Sequence, residues 1–450
     1  MHMQCCVLLK YGEMVLKGGN RRWFEQWLLT NLDDALSAWP PEHRPAVRRR
    51  GGVLVLFTSP ALQDELVTLA RNLIGISLVQ PVWRVPRSAR AAETAAVELL
   101  RDHCTQDGAP TFAVRCHRRD KRFGLSSEQL AARIGARVRA DLGWRVDLSH
   151  PELELTVEVD RREIFLGTRT HPGQGGLPVG SSGRAVVLLS GGFDSPVAAY
   201  RAMRRGLACD FLHCTGAPFT DASSTYKAYA LVRQLTRFQP RSRLYVAAVG
   251  RAQRTLAASG AGEAQIVAQR RLYLRLACGL AERIGAQAVV TGDSLGQVAS
   301  QTLPNLAATE QAATLPVLRP LLGFDKQEIL AEARRIGTAE IAMLPDQDCC
   351  QLFLPRRVAT MPPWTNSCRS RPGPASTRWW ATCWTVCSDS ISDLRPPMSS
   401  SPRRHPGWAN PCARPAGVRS RRMRSACPAC AARGNVAGWT PWRPPSPRRG

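Results

Sequence analysis

The segment that most constrains this chain is an apolar run, 185–189, that passes without a break into Ser190-Gly191-Gly192-Phe193-Asp194-Ser195-Pro196. Val197, Ala198, Tyr200 and Met203 then follow at helical spacing. A continuous apolar run bounded by a glycine turn marks a parallel strand covered on both faces. Strand, glycine turn and helix start together make an anion cradle. The glycines let the backbone approach a phosphate closely, and the unsatisfied N–H groups and dipole of the helix start favour negative charge. Ser190 and Ser195 add hydroxyl donors, and Pro196 is tolerated in the first helical turn. A carboxylate beside phosphates calls for a cation between them, so Asp194 reads as a partner of Mg²⁺. No GxxxxGK[ST] pattern is present here, which excludes a Walker loop. Further apolar runs at 210–214, 244–249 and 287–291, separated by helical patterns that include 263–284, extend the element into a doubly wound sheet. Ligands of such sheets sit past the carboxyl ends of the strands, which gathers the loop, His213, Cys214 and Gly292 around one crevice.

Upstream lie two smaller α/β patterns. The first runs from a strand through Lys10-Tyr11-Gly12-Glu13 and a glycine-rich turn into a helix bearing Trp23, Phe24, Trp27, Leu28 and Leu32, then a strand at 52–57 and a helix at 61–72. In the second, a strand from Thr111 ends in Arg115, His117, Arg118, Arg119, Lys121 and Arg122. Ser126 stands three before Gln129, the spacing of a capping box, so a helix starts there. Residues 152–159 alternate apolar and polar, which predicts a strand with one packed and one wet face. A cluster this basic on a folded element suits contact with an RNA backbone, with unspecific surface charge as the alternative.

The chain of 450 residues carries 61 Lys and Arg against 35 Asp and Glu, a formal charge of +26, the imbalance expected of a protein that meets polyanions. Half of it falls in residues 361–450, which hold 15 Arg, no Lys, 15 Pro, seven Trp and only five Ile, Leu, Val or Phe. A segment this poor in aliphatic residues is expected to stay disordered. Its composition resembles a GC-rich gene read out of frame, and its Cys427 and Cys430 pair, without a matching second pair, is a weak metal signal. The longest apolar stretches fall far short of the roughly 20 residues that cross a bilayer, and the opening residues lack a basic n-region. The expectation is a cytoplasmic protein, away from membranes, with reduced cysteines.

The SGGFDS segment resembles the PP-loop of ATP pyrophosphatases, and the wider pattern resembles the tRNA 4-thiouridine synthetases, the tRNA sulfurtransferase family, in the short form without a rhodanese domain. The resemblance rests on KYGEMVLKGGNRRWFE, on PGQGGLPVGSSGRAVVLLSGGFDSPVAAY from Pro172, on VTGDSLGQVASQTLPNL from Val290, on LRPLLGFDKQEI from Leu318 and on LPDQDCCQLFLPR from Leu344. It implies a ferredoxin-like domain at 1–63, a THUMP domain at 64–170 that docks tRNA through Arg115, Arg118, Arg119, Lys121 and Arg122, and a PP-loop domain at 171–360. It implies ATP held by Leu188, Leu189, Ser190, Gly191, Gly192, Ser195, His213, Cys214, Arg270, Gly292 and Gln301, with Mg²⁺ at Asp194. Sulfur chemistry falls to Cys349 and Cys350, in a loop beyond the last sheet element where a core position is not expected. The implied reaction adenylates O4 of a uridine in tRNA, position eight in the family, and replaces it with sulfur from a persulfide made by a cysteine desulfurase. A ThiS-type carrier for thiamine thiazole synthesis is a second implied acceptor, and a homodimer is left open. The alternatives are an RNA-binding protein with an impaired catalytic half and another PP-loop ligase.

Overall fold

The structure, a computed structural model, describes residues 3–103, 110–259, 262–349, 352–353 and 358–360. Cys350 and the segment 361–450 with its cysteines lie outside the described residues.

The first module contains β1 (Gln4–Tyr11), α1 (Arg21–Leu36), β2 (Ala46–Arg50), β3 (Val53–Phe57), α2 (Gln63–Asn72) and β4 (Ile76–Pro86). β1 lies between β3 and β4 and runs antiparallel to both, giving the order β2-β3-β1-β4 of a ferredoxin-like sheet. Both faces of β1 are covered, which is why its sequence is apolar without alternation. Val7 and Leu9 pack under Leu28, Leu32, Leu66 and Val67 of the two helices. Cys6 and Leu8 pack on the other side with Val55, Val82 and Phe165.

The second module adds α3 (Ala89–Arg101), β5 (Phe112–Arg118), α4 (Ser127–Leu142), β6 (Leu153–Val159), β7 (Glu163–Gly167) and β8 (His171–Pro172). The end of β4 pairs with β7, so one strand serves both modules and the sheet continues β4-β7-β6-β5. Any line between the two modules therefore runs through a shared sheet, and α2 packs by its Leu66, Val67 and Ala70 into the first core. The capping box of α4 is formed as its sequence predicts: Gln129 N donates to Ser126 Oγ at 3.1 Å and Ser126 N donates to Gln129 Oε1 at 2.8 Å. Gly143, at φ 69°, closes the same helix.

The wet face expected for 152–159 is only partly wet. Glu158 is buried and paired with Lys10 and Arg119. Burial alone would raise its carboxyl, but these two cations hold it below the ordinary range. Glu163 is a second buried carboxylate. It accepts from Arg50 Nη2 at 3.0 Å and Arg84 Nε at 2.5 Å, tying β2, β4 and β7 together.

The third module carries β9 (Arg184–Leu188), α5 (Asp194–Arg204), β10 (Ala208–Thr215), α6 (Ser223–Leu235), β11 (Leu244–Ala248), α7 (Gly250–Ala258), α8 (Gln265–Ile284), β12 (Ala288–Val290), α9 (Leu303–Glu310), β13 (Val317–Leu318), α10 (Lys326–Arg335) and α11 (Ala339–Ala342). Its parallel sheet has the order β11-β10-β9-β12-β13. The doubly wound expectation holds, because successive residues of β9 point into different layers. Ala185 and Val187 pack with α5, α6 and α10, while Val186 packs with α7 and α8. The first module sits against this one through Glu13 with Arg205 at 2.8 Å, Asp34 with Arg241 at 2.5 Å, and Asn31 Nδ2 donating to Val179 O at 3.0 Å.

Glu163→Ala strands two arginines that lose a shared anion but keep part of their water, so it should cost about 2 kcal/mol, below the cost of breaking a fully buried pair. Urea denaturation measures it, and an unchanged midpoint would remove Glu163 as the joint of the sheet.

Candidate active site

The order of the parallel sheet reverses beside β9, with β10 on one side and β12 on the other, and a crevice opens there past the strand ends. The loop after β9 enters it from one side and the loop after β12 from the other. Gly292 makes their approach possible: a Cβ on it would lie 2.7 Å from Ser195 N and 2.9 Å from Asp194 C. Between them lies a cavity of about 440 Å³. Of the residues expected to bind nucleotide, Leu188, Ser190, Ser195, Arg270, Gly292 and Gln301 line it, together with Asp194.

The phosphate loop is held by its own serines. Ser190 N donates to Ser195 Oγ at 2.9 Å, the two hydroxyls lie 3.1 Å apart, and Gly192 N donates to Ser190 Oγ at 3.3 Å. Gly191 lies under the carboxylate of Asp346, where a Cβ would come within 2.7 Å of Oδ2. His213 does not line the cavity. It is buried behind the loop, with Nδ1 2.9 Å from Leu189 O and Nε2 3.3 Å from Ser224 Oγ. Burial pushes its imidazole below the ordinary value, against the opposing pull of the Leu189 carbonyl, Asp348 and Asp346. Cys214 is likewise buried in the core on the α7–α8 side.

Arg270 is no solvated helix residue. Its Nη1 donates to Ser300 Oγ at 3.0 Å and its Nη2 pairs with Asp293 Oδ1. Asp293 also accepts from Thr291 Oγ1 at 2.8 Å and Arg319 Nε at 3.3 Å. Burial would raise the Asp293 carboxyl, yet Arg270, Thr291 and Arg319 together hold it below the usual range. Gln301 Oε1 and Gln269 Nε2 are buried on the same wall with no hydrogen-bond partner among the described residues, an acceptor and a donor left for a ligand.

Asp194 differs from its expected setting. Its Oδ1 pairs with Lys326 Nζ at 2.9 Å and its Oδ2 accepts from Gln297 Nε2 at 3.0 Å. A cation does stand beside the carboxylate, but it is an ammonium on α10. Lys326 and Gln297 were missed from sequence, although Lys326 follows Asp325, whose spacing to Glu328 is that of a capping box and so fixes the ammonium at a helix start.

Cys349 corrects an expectation: it is a core position, 3% exposed, packed with residues of α7 and α8. The loop carrying it is tied across the strand ends. Lys227 Nζ donates to Leu344 O at 2.6 Å and to Asp346 Oδ1 at 2.9 Å, Gln347 N donates to Ser223 Oγ at 3.0 Å, and Gln253 Nε2 donates to Cys349 O at 2.8 Å. Loop sequences carry no periodicity, so burial by such ties leaves no signal in them.

The basic strand end is also less exposed than its composition suggests. Arg118 turns inward, its Nη1 donating to the carbonyls of Leu125 at 2.8 Å and Phe123 at 3.3 Å. Arg119 is bound to Glu158, Arg122 to Asp120 and Arg115 to Glu154. Lys121, Arg122 and Arg115 remain on the surface.

Models of three families match the chain in order: a ThiI ferredoxin-like domain over residues 6–79, a THUMP domain over 87–169, and the thiamine biosynthesis protein ThiI over 180–366. The "probable tRNA sulfurtransferase" of Nocardia farcinica is 60% identical over 358 residues, covering 79% of this chain and 86% of that protein. The chain belongs to the tRNA sulfurtransferase family. Its relative in Moorella thermoacetica, of the same description, is 40% identical over 365 residues, covering 80% and 91% of the two chains. A 4-thiouridine synthetase solved as an RNA complex with bound ATP superposes with a TM-score of 0.76 at 28% identity, covering 87% of this sulfurtransferase-family chain and 98% of that one.

The neutral His213 makes stability depend on pH. Its folded pKa lies below the unfolded value of about 6.5, so the unfolded chain takes up a proton that the folded site resists. This contribution is intact at pH 7 and is lost as the pH falls below about 6.5, by at most about 1.4 kcal/mol per unit. Urea midpoints measured from pH 7 to 5 should fall in the parent and flatten in His213→Gln, and equal slopes would assign the loss to other groups.

Proposed function

We propose that the chain is an ATP-dependent tRNA sulfurtransferase that makes 4-thiouridine from a uridine of tRNA, position eight in the family. The observation that carries this reading is the cavity at the sheet reversal, where a glycine phosphate loop, the Arg270–Asp293 pair and the unpartnered amide atoms of Gln269 and Gln301 face one space. The loop N–H groups and the start of α5 suit the phosphates of ATP. The amide pair suits an edge with both an acceptor and a donor, as adenine has. The relative solved with RNA and bound ATP supports the same substrates here.

In the reaction, O4 of the uridine attacks the α-phosphorus of ATP, and pyrophosphate leaves. Lys326 and the loop balance charge beside it. Sulfur then attacks C4, and AMP departs with the former O4. The sulfur arrives as a persulfide from a cysteine desulfurase and passes through Cys349. An external thiol then attacks Cys349 Sγ, the bond between Sγ and the transferred sulfur breaks with its electron pair going to the sulfur left on the base, and the mixed disulfide on Cys349 is reduced by a further thiol. Among the described residues no group of three His, Cys, Asp or Glu side chains could hold a metal alone. A carboxylate beside the phosphate loop nevertheless has the donor chemistry of a Mg²⁺ ligand, and both contacts of Asp194 are to exchangeable side chains. Magnesium bound there with the phosphates would supply charge neutralisation. No described helix is long and apolar enough to cross a membrane. Transfer to a ThiS-type carrier is supported by the thiamine description of the matching family model, and rescue of a thiazole-requiring strain tests it.

Thiolated tRNA is retarded on a mercury-containing gel. In a strain lacking the enzyme, the chain should restore retardation, and Asp194→Ala and Cys349→Ser should each abolish it, Cys349→Ser with pyrophosphate release retained. Thiolation by Asp194→Ala would overturn the site.

For RNA docking, Lys121 with Arg122 and Arg115 is the proposed contact, supported by the match to a THUMP domain. Lys121→Glu should weaken tRNA binding and lower its salt slope by about 0.7–0.9. Arg118→Ala should instead lower the melting temperature, because it frees the carbonyls of Lys121, Phe123 and Leu125 inside the turn. A salt slope that changes only in the Arg118 variant would reverse the assignment.

A further inference from the structure

Cys349 is the sulfur-carrying group of the proposed function, and the role inferred for its neighbour Tyr273 rests on that reading. Cys349 Sγ lies 3.6 Å from the hydroxyl of Tyr273 on α8, within hydrogen-bond range for sulfur. The same hydroxyl accepts from Gln253 Nε2 at 2.7 Å, and Gln253 Nε2 also donates to the Cys349 carbonyl at 2.8 Å. Gln253 is fully buried and Tyr273 is 9% exposed, so this triangle works away from bulk water, where a hydrogen bond to a charged group is strengthened. Tyr273 also lines the wall of the cavity that carries the phosphate loop. Tyr273 therefore meets the sulfur through its hydroxyl and also borders the cavity proposed for ATP.

We infer that Tyr273 is a catalytic residue of the sulfur step, its hydroxyl donating to the Cys349 thiolate that takes a sulfur atom from a protein persulfide, with Gln253 as the positioning residue that orients it. A thiolate has no proton to give, so in that state the phenol must be the donor. Gln253 supports this direction, because its N–H fills a lone pair of the phenol oxygen. Its second contact, to the Cys349 carbonyl, fixes the sulfur's own backbone against the same helix. In the loading step Cys349 Sγ attacks the terminal sulfur of the donor persulfide. The Sγ–S bond forms as the donor S–S bond breaks, the donor leaves as a thiolate with the electron pair, and the terminal proton stays on the transferred sulfur. No oxidant is needed. The thiolate is the attacking form of a cysteine, and a hydrogen bond donated to its sulfur stabilises that charge. The Tyr273 hydroxyl is placed to be that donor.

The test measures alkylation of the Cys349 peptide by iodoacetamide against pH, read by peptide mass spectrometry on the full chain, beside tRNA thiolation. Tyr273→Phe keeps the ring and should move the alkylation midpoint up by about one pH unit, the size expected for losing a hydrogen bond to a charged group. Thiolation at pH 7 should fall about tenfold and recover in part as the pH is raised. Gln253→Leu should shift the midpoint the same way by less, and it serves as the second variant if Tyr273→Phe melts early. An unchanged midpoint in the folded variants overturns the inference. Cys349→Ser separates the two levels: if it is inactive while Tyr273→Phe behaves as the parent, only the role of Tyr273 fails. If Cys349→Ser still thiolates, the sulfur role of Cys349 fails, and this inference with it.

Discussion

The whole site depends on the close approach of two backbone segments at one point, the loop after β12 against the first turn of α5. A side chain at residue 292 would overlap Ser195 N, so glycine is required there by space alone. The approach fixes the width of the crevice and delivers the next residue, Asp293, to its wall. Asp293 then organises two arginines from distant parts of the chain, Arg270 on α8 and Arg319 just after β13. Arg270 lines the same cavity as the phosphate loop, and Arg319 holds the other carboxylate oxygen of Asp293. A buried carboxylate with one partner would be costly, and with two arginines and a threonine hydroxyl it is satisfied.

The same device recurs in the other modules, and it changes what the large positive charge means. Glu163 joins Arg50 to Arg84, Glu158 joins Lys10 to Arg119, and Asp120 joins Arg87 to Arg122. Arg50, Arg84 and Arg119 act as struts across a sheet that two modules share, whereas Arg122 pairs within its own turn and stays exposed. A count of basic residues therefore overstates the charge free to meet a polyanion, because part of it is taken up by these internal pairs. Long-range attraction still follows the net charge, because paired charges a few ångströms apart cancel at a distance while unpaired ones do not.

In the sulfurtransferase module the loop that carries Cys349 is tied to α6 by Lys227 and Ser223 and to α7 by Gln253. Lys227 lies beside Gly191 as well, so the tie and the phosphate loop share one neighbourhood.

How much of this could be read in the sequence differs by element. Residues 185–203 fix their own structure, because a covered strand, a glycine turn and a helix start each follow from local residue types. Ser126 and Gln129 fix the start of α4 for the same reason. The positions of Ser190, Ser195 and Gly292 at one crevice follow from the doubly wound order alone. What the sequence left open are pairings between residues far apart in the chain. Asp194 with Lys326, Arg270 with Asp293, and Tyr273 with Cys349 are separated by 132, 23 and 76 residues. No periodicity links them, since each distance is set by how helices stack on the sheet. For Arg118 and Arg119 the sequence specified a charge, and only the folded chain decided that it points inward, where carbonyls and a buried carboxylate replace water as its partners.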